Sequence, residues 1–325
     1  MPIVVNSNAS ATEASFNLSR NNEALRKSLG RLSSGKRISN PADDAGGLAV
    51  AYKLNSTINR SYATIQNAQN ALSYLQVQDS ALATTGKILD RMAELRTMAQ
   101  DITKNSGDIE NYSKEFIELQ SQLRQIKEEK FNGISLFSIS TGTAASSKAQ
   151  LSTTSGGVYV DANGASIAYA KFGRELITHP SGNTGNGSIS LNVVNLQFVL
   201  SLNGNSGIHL GGIENGSTGI ASTGMNGDNF ITKIRDVSVS EFINAIEKLA
   251  DARAENGAEQ NRIMNSINLL QTNVTNLEAA HGRIMDADIA LESTRFARYN
   301  VLVQASAAMT AQANQMTNIA LSLLG

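Results

Sequence analysis

The fold is decided by residues 40–103, NPADDAGGLAVAYKLNSTINRSYATIQNAQNALSYLQVQDSALATTGKILDRMAELRTMAQDIT. Steps of alternately four and three residues along this stretch meet mostly apolar side chains, which is typical of a helix packed nearly parallel to another. They meet Leu54, Ile58, Ser61, Ile65, Ala68, Leu72, Leu75, Asp79 and Leu82, then, after a shift near Gly86, Ile88, Met92, Leu95, Ala99 and Ile102. We expect Asn40 to cap this helix, with Pro41 at its first position. A helix of this length is a rod, on the order of 90 Å long at ~1.5 Å per residue.

Helical spacing returns towards the C-terminus. The apolar positions there are Ile263, Ile267, Leu270, Val274, Leu277 and Ile284, with His281 among them. A shorter helix is expected from Ile109 to about Glu128, and Asn132-Gly133 predicts a tight turn after it.

The middle of the chain, roughly residues 138–237, has a different composition. Gly, Ser, Thr and Asn are common there, and the candidate strands are residues 157–160, 188–194, 197–202 and 207–210. Asn203-Gly204-Asn205 has the composition of a hairpin turn between the last two. The sequence therefore predicts a mainly α protein: a bundle or coiled coil of long helices from the N- and C-terminal segments, with a smaller β-rich central region at the surface.

Composition narrows the functional classes. The 325 residues carry a formal net charge of −1 and include no cysteine and only three histidines. This favours neither nucleic-acid binding nor a thiolate or histidine metal site, so we expect no cofactor, no metal and no catalysis. No apolar run is long enough for a membrane span, and no cleavable secretory signal is readable at the N-terminus.

The last 27 residues are the most informative for function. Arg298 is the last charged residue, yet amide side chains interrupt the apolar run that follows it. Such a helix is poorly suited to both water and lipid, so we expect it to be buried against protein. Copies of the same chain are the favoured partner, and burial within its own subunit is the alternative.

The two ends also carry complementary charge. The N-terminal segment is basic beside an apolar stripe of Leu25, Leu29 and Leu32, and the last helix begins among acidic residues. A basic amphipathic segment also fits nucleic acid or a membrane surface, but no aromatic residues alternate with its charges. We therefore predict pairing between the ends, which involves Arg26, Arg31, Arg37, Asp286, Asp288 and Glu292.

These ends resemble a known family. RLSSGKRI at residues 31–38, followed by DDAGGLAV at 43–50, closely resembles the N-terminal signature of bacterial flagellins. RIMDAD at 283–288 and AQANQ at 311–315 resemble their C-terminal signature. With Phe131-Asn132-Gly133, the resemblance covers roughly the first 137 and the last 90 residues.

The resemblance implies an architecture and a function. Residues 1–44 and 284–325 would form a coiled-coil inner domain, residues 45–137 and 238–283 a rod of long helices, and residues 138–237 a variable β-rich region. The chain would leave the cell unfolded through the type III export channel and polymerise into the flagellar filament outside the cell. The polymerisation core would include Leu25, Leu29, Leu32, Leu302, Ala305, Met309, Met316 and Ile319.

The resemblance also implies partners. They are further copies of the chain, an export chaperone at the C-terminus, and the filament cap and hook-associated proteins. Toll-like receptor 5 would contact residues that match the family motif, namely Arg91, Glu94, Leu95 and Glu118. Arg91 and Leu95 are four residues apart and are expected to share a helix face. Neither nucleic-acid binding nor membrane insertion is expected.

Three rival interpretations remain. A hook–filament junction protein resembles flagellin at both ends. Some flagellins carry an inserted catalytic domain, but His179 and His209 have no metal-ligand spacing around them. A membrane-active type III translocator would also be helical and free of cysteine, although the amides in the C-terminal helix argue against it.

Overall fold

The structure is a computed structural model that describes residues 8–138, 152–160, 166–202, 205–210, 212–213 and 230–324. The predicted mainly α fold with a smaller β-rich middle is confirmed. The helices are α1 (Ala9–Ser34), α2 (Ala45–Met98), α3 (Ser106–Lys127), α4 (Leu196–Val199), α5 (Val239–Met285) and α6 (Ile289–Leu324). The strands are β1 (Lys130–Phe131), β2 (Ile134–Ser135), β3 (Ser152–Val160), β4 (Ser166–Ile177), β5 (Ser188–Val193), β6 (Ser201–Leu202), β7 (Asn205–His209) and β8 (Gly212–Ile213).

The long helix α2 is shorter than its sequence pattern suggested. Its N-terminus is capped by Asp44, whose carboxylate accepts from the Gly47 amide at 2.8 Å, so the predicted cap at Asn40 is wrong. Asn40 instead begins a turn, its carbonyl accepting from the Asp43 amide at 3.0 Å. At the other end α2 stops at Met98. Ile102, predicted as a core position, therefore lies outside the helix and is 99% exposed.

The shorter helix and the turn after it are confirmed. Asn105 caps α3, and its side chain and that of Asp108 exchange hydrogen bonds with each other's backbone amides in a capping box. After α3, strands β1 and β2 pair antiparallel around Asn132 and Gly133, whose φ angles are +50° and +78°. Two consecutive residues with positive φ are the reason that Asn-Gly is favoured in such a hairpin.

The chain divides into two compact units. Unit 1 contains residues 1–59 and 273–325, and unit 2 contains residues 60–272. The β-rich segments therefore belong to the same compact unit as much of α2 and α5. The predicted division into an inner domain, a rod of long helices and a variable β-rich region stays a prediction.

Unit 2 has a core of large apolar side chains from the long helices. The Phe116 and Phe242 rings meet edge to face, with centroids 6.2 Å apart, which joins α3 to α5. Leu82 and Leu95 of α2 are fully buried in the same unit. This burial confirms the apolar spacing predicted for this part of α2.

The central region forms two small antiparallel sheets, in the orders β3-β4-β5 and β6-β7-β8. The strands expected at 157–160 and 188–194 are confirmed within β3 and β5, whereas β4, the longest strand, was missed. The strand expected at 197–202 is wrong over its first half, because α4 begins there. Asn195 starts this turn of helix by accepting from the Phe198 amide at 3.2 Å. Residues 203 and 204 of the expected hairpin turn lie outside the described residues.

The first sheet is held on α5 by two carboxylates one helical turn apart. Both oxygens of Glu259 accept from the Asn192 amide, at 3.0 and 2.9 Å. Glu255 accepts from the Asn192 side chain at 2.6 Å and from Lys171 at 2.8 Å. Desolvation, with Glu255 nearby, raises the pKa of Glu259 to about 7, although the Asn192 amide opposes this shift.

This raised pKa predicts that unit 2 loses stability as the solution becomes more basic. Between the ordinary pKa of 4.5 and the folded value of about 7, the folded chain binds more protons than the unfolded chain. The free energy of unfolding therefore falls as pH rises through this window and stays lower above it. Urea unfolding at pH values of about 5 and about 8 would measure the loss. Glu259→Gln is expected to reduce this pH dependence, whereas Glu118→Gln, at an exposed position, leaves it unchanged. If the free energy of unfolding of Glu259→Gln falls with pH as steeply as that of the unchanged chain, the pH dependence does not come from Glu259.

Candidate polymerisation interface

Unit 1 is built on the pairing of α1 with α6. The two helices are antiparallel: Asn8, at the start of α1, donates to the Ala313 carbonyl at 2.8 Å, and Asn21 donates to Ser306 at 2.9 Å. The buried and half-buried positions on α6 that face this pairing recur every three or four residues. We call them the terminal seam: Glu292, Phe296, Tyr299, Val303, Ser306, Thr310 and Ala313.

Local sequence sets the ends of α1. The Asn8 side chain caps its N-terminus by accepting from the Ala11 amide at 3.0 Å. Gly35 ends it with a φ of +67°, the left-handed conformation that glycine adopts without steric cost. This C-cap turns the chain towards the loop between α1 and α2.

That loop is hydrogen-bonded to the loop between α5 and α6. The Ala287 amide donates to the Gly35 carbonyl at 2.9 Å, and the Arg37 amide donates to the Met285 carbonyl at 2.6 Å. Ile38 and Met285 are buried together beside this contact. The two helix junctions of unit 1 are therefore joined by both backbone hydrogen bonds and apolar burial.

The charged residues predicted to pair take different roles. Arg31 lies with Nη1 3.9 Å from the Glu292 carboxylate, and the other Glu292 oxygen accepts a short hydrogen bond from Ser28. Arg37 donates to the Ile284 carbonyl at 3.1 Å, and Asp288 caps α6 by accepting from the Leu291 amide at 3.1 Å. In the described part of the structure, Arg31 and Glu292 are the two residues of the predicted set whose side chains approach each other across the two ends of the chain.

Two other members of that set do not meet an opposite charge in the described contacts. Arg26 is exposed on α1, and Asp286 bridges to Lys36 through the backbone. Sequence reasoning missed the closest ion pair of the region, Lys27 with Asp43 at 2.6 Å. The Lys27 ammonium holds the pKa of the Asp43 carboxyl below its usual value of 3.8.

The apolar residues predicted for the polymerisation core lie mostly outside the terminal seam. Met309 is 64% exposed and Leu29 is 54% exposed, while Leu302 and Ala305 are also exposed. Leu25 and Leu32 are half-buried. The side chains of Met316 and Ile319 lie outside the described residues. In the part of the chain that the structure describes, Leu29, Leu302, Ala305 and Met309 remain exposed on the two paired helices, and we call these four residues together the exposed apolar face. Exposed apolar side chains grouped on a protein are typical of interaction surfaces.

The predicted receptor residues differ in how exposed their side chains are. Arg91 is half exposed and bonds to Glu94 and Glu115, each at 2.7 Å, and these carboxylates raise the pKa of its guanidinium. Glu118 is exposed, but Leu95 is fully buried. Arg91 and Leu95 therefore do not form an exposed pair, because Leu95 faces the core of unit 2, and the receptor contact stays a prediction.

Among the described residues, no three His, Cys, Asp or Glu side chains group in a way that would hold a metal ion. Nor does any helix within the described ranges combine the length and apolar character that a bilayer crossing needs.

Known proteins resemble this chain over nearly its whole length. A flagellin of Clostridium tyrobutyricum is 29% identical, with 97% of this chain and 100% of the relative aligned. The flagellar filament 33 kDa core protein of Treponema phagedenis is 28% identical, over 99% of this chain and 100% of the relative. A crystal structure of Bacillus cereus flagellin aligns with a TM-score of 0.38 at 21% identity, over 66% of this chain and 94% of that one.

Family models match at the two ends in the expected order. The model of the bacterial flagellin N-terminal helical region matches residues 5–156, and that of the C-terminal helical region matches residues 239–324. These ranges include α1 and α6, whose pairing builds the exposed apolar face. Since the two models together span more than half of its residues, this chain belongs to the bacterial flagellin family.

Proposed function

We propose that this chain is a structural subunit of a bacterial flagellar filament, and that it assembles by burying the exposed apolar face of its paired ends against other copies. The observation that carries the proposal is the exposure of Met309, Leu302 and Leu29 on helices that already pair with each other. Burying such side chains contributes about 1.5–3 kcal/mol each, which favours association. The names of the relatives, flagellin and flagellar filament core protein, support the filament over the hook–filament junction.

The finer features of this function are part of the same proposal. The subunit is exported unfolded and works outside the cell, with a chaperone bound at the C-terminus before export. In the filament it meets the cap and hook-associated proteins. The uncharged sequence after Arg298 supports this, because a helix of that kind needs a protein surface to cover it.

Recognition by Toll-like receptor 5 is a further proposal, now limited to Arg91, Glu94 and Glu118. These three are accessible on α2 and α3, whereas Leu95 is not. Arg91 already bonds to two carboxylates, so the receptor would have to replace or join those contacts.

Deleting residues 301–325 tests the assembly proposal. The deletion removes Met309 and most of the uncharged end of α6, while unit 2 keeps all its residues. We expect a soluble, helical chain that forms no filaments, as measured by sedimentation and negative-stain microscopy after salting out. Full-length chain treated identically is the control, and filaments from the shortened chain at the full-length yield contradict the proposal.

A further inference from the structure

We propose that Phe16 of one copy enters a groove between α1 and α6 of the next copy, and that this contact repeats along the filament. The groove is lined in part by Ala305 and Met309, two residues of the exposed apolar face. The inference rests on the proposed function and deepens it, because it names the side chain of the neighbouring copy that covers this part of the face.

The receiving groove has a volume of about 320 Å³ and opens between the two paired helices. Its lining residues include Ser10, Glu13, Ala14, Asn17, Ala305 and Met309. Most of these side chains are short, so they leave a hole into which a large side chain of another molecule can pack. Met309 is flexible, and the sulfur of a methionine makes favourable contacts with an aromatic ring. These properties favour an aromatic side chain as the occupant.

Phe16 is an aromatic side chain that its own subunit leaves 68% exposed. It lines a different groove of the helix pair, together with Ser15 and Thr310. That groove and the receiving groove have no lining residue in common, so they lie on opposite sides of the two helices. Phe16 therefore does not fill the receiving groove of its own subunit, and a second copy is needed to place the ring there.

The separation of Phe16 from the receiving groove is what an open filament needs. A surface that binds the same surface of another copy closes a dimer. Two different surfaces that bind head to tail instead build a row of subunits that can extend without limit. Phe16 and the receiving groove are two such surfaces on one subunit.

The charges beside these two surfaces are complementary. Arg20 follows Phe16 by one helical turn, and Glu13 lines the receiving groove. Both side chains are exposed, and within the described residues neither forms an ion pair. When Phe16 of one copy is docked, Arg20 of that copy is brought towards Glu13 of the receiving copy. This attraction favours the docking of Phe16 in the receiving groove over other pairings of the two surfaces.

Photochemical cross-linking from position 16 tests the contact directly. The full-length chain with Phe16→p-benzoylphenylalanine keeps an aromatic side chain, which on irradiation forms a covalent bond to a neighbouring C–H group. It would be mixed with an excess of isotopically heavy unmodified chain, assembled by salting out and irradiated. A cross-linked peptide pair with one light and one heavy member reports a contact between copies, and mass spectrometry locates the residue.

In filaments, we expect cross-links to Ala305 or Met309 to exceed those to Thr310, in the other groove, by at least about tenfold. Cross-links that favour Thr310 overturn the proposal, and so do filaments that contain no cross-link from position 16 to another copy. Failure of the unmodified chain to form filaments contradicts the proposed function itself, and the Phe16 contact falls with it.

An exchange of charge between copies gives an independent test, measured as growth on short filament fragments at low ionic strength. Arg20→Glu and Glu13→Arg each place like charges across the contact, so each alone should raise the critical concentration by at least about threefold. In an equal mixture each variant meets the opposite charge on the other, and the critical concentration should return to within about twofold of that of the unchanged chain. Arg26→Glu, the same charge change at another exposed position of α1, is the matched control and should assemble like the unchanged chain. A mixture that assembles no better than the single variants overturns the proposed pairing.

Discussion

Met309→Asp should abolish filament assembly while the chain stays folded. Met309 is 64% exposed on α6 and has no role in the terminal seam, so a carboxylate there meets water in the free subunit. In the proposed filament the same carboxylate would be buried without a partner, at a cost of several kcal/mol for every subunit. Because each 1.4 kcal/mol changes an equilibrium constant tenfold, the critical concentration should rise at least about 100-fold.

Sedimentation at increasing chain concentration measures this change, with circular dichroism as the check on folding. Met309→Leu is the matched control, because it keeps an apolar side chain of similar volume and should assemble normally. A critical concentration in Met309→Asp equal to that of the unchanged chain would place Met309 outside the subunit contacts.

Leu95→Ala should produce the second large effect, a loss of about 2–5 kcal/mol from the free energy of unfolding of unit 2. Leu95 is fully buried, so its truncation removes apolar contact and leaves a cavity that the long helices fill only in part. Urea unfolding of the full chain, followed by circular dichroism, would report it as a lower midpoint. Any loss of receptor signalling in this variant would then reflect destabilisation and not a lost contact.

Arg91→Ala separates these effects. Its guanidinium is half exposed and its two ion pairs lie at the surface, where such pairs add little to the free energy of unfolding because water screens them. Unfolding should therefore change little, while receptor signalling should fall if Arg91 contributes to recognition. Destabilisation of Leu95→Ala no greater than that of Arg91→Ala would contradict the burial of Leu95.

Much of the helical architecture was predictable, because it depends on the spacing of apolar residues along the chain and not on individual hydrogen bonds. The core positions of α2 from Ile58 to Ala99 follow the steps of four and three residues. The ends of elements depend on single hydrogen bonds and were harder to predict. Asn40 and Asp44 are both good caps by residue type, and only the path of the preceding loop shows that Asp44 is the one used. Ile102 continued the apolar spacing beyond the point where the helix stops.

The β-rich region was less predictable for a different reason. Asn195 caps a short helix inside a stretch rich in residues that also favour strands, so local propensity pointed to the wrong element. Strand β4 was missed because its alternation is weak, and its place is set by antiparallel pairing with β3 and β5. Such pairing is a tertiary choice that single-sequence periodicity does not contain.

The candidate interface shows what the periodic spacing of apolar residues does not predict. The sequence correctly indicated a helix after Arg298, but it did not show which apolar residues of that helix face α1. In the structure Leu302, Ala305 and Met309 lie beside the residues that face α1. Because α6 is apolar or small on several faces, spacing alone does not tell an intramolecular face from an intermolecular one.

The contacts of α1 with α6 also determine the order in which the chain acquires its structure. Asn8 and Ala313 are 305 residues apart, and Asn21 and Ser306 are 285 apart. Contacts between such distant residues cost a large loop-closure entropy and form slowly, whereas α2 and α3 are joined by a short connection. On a ribosome, α1 emerges well before α6. It is thus made long before it can be paired, and while the residues between the two helices are synthesised it stays available to any other protein that recognises it.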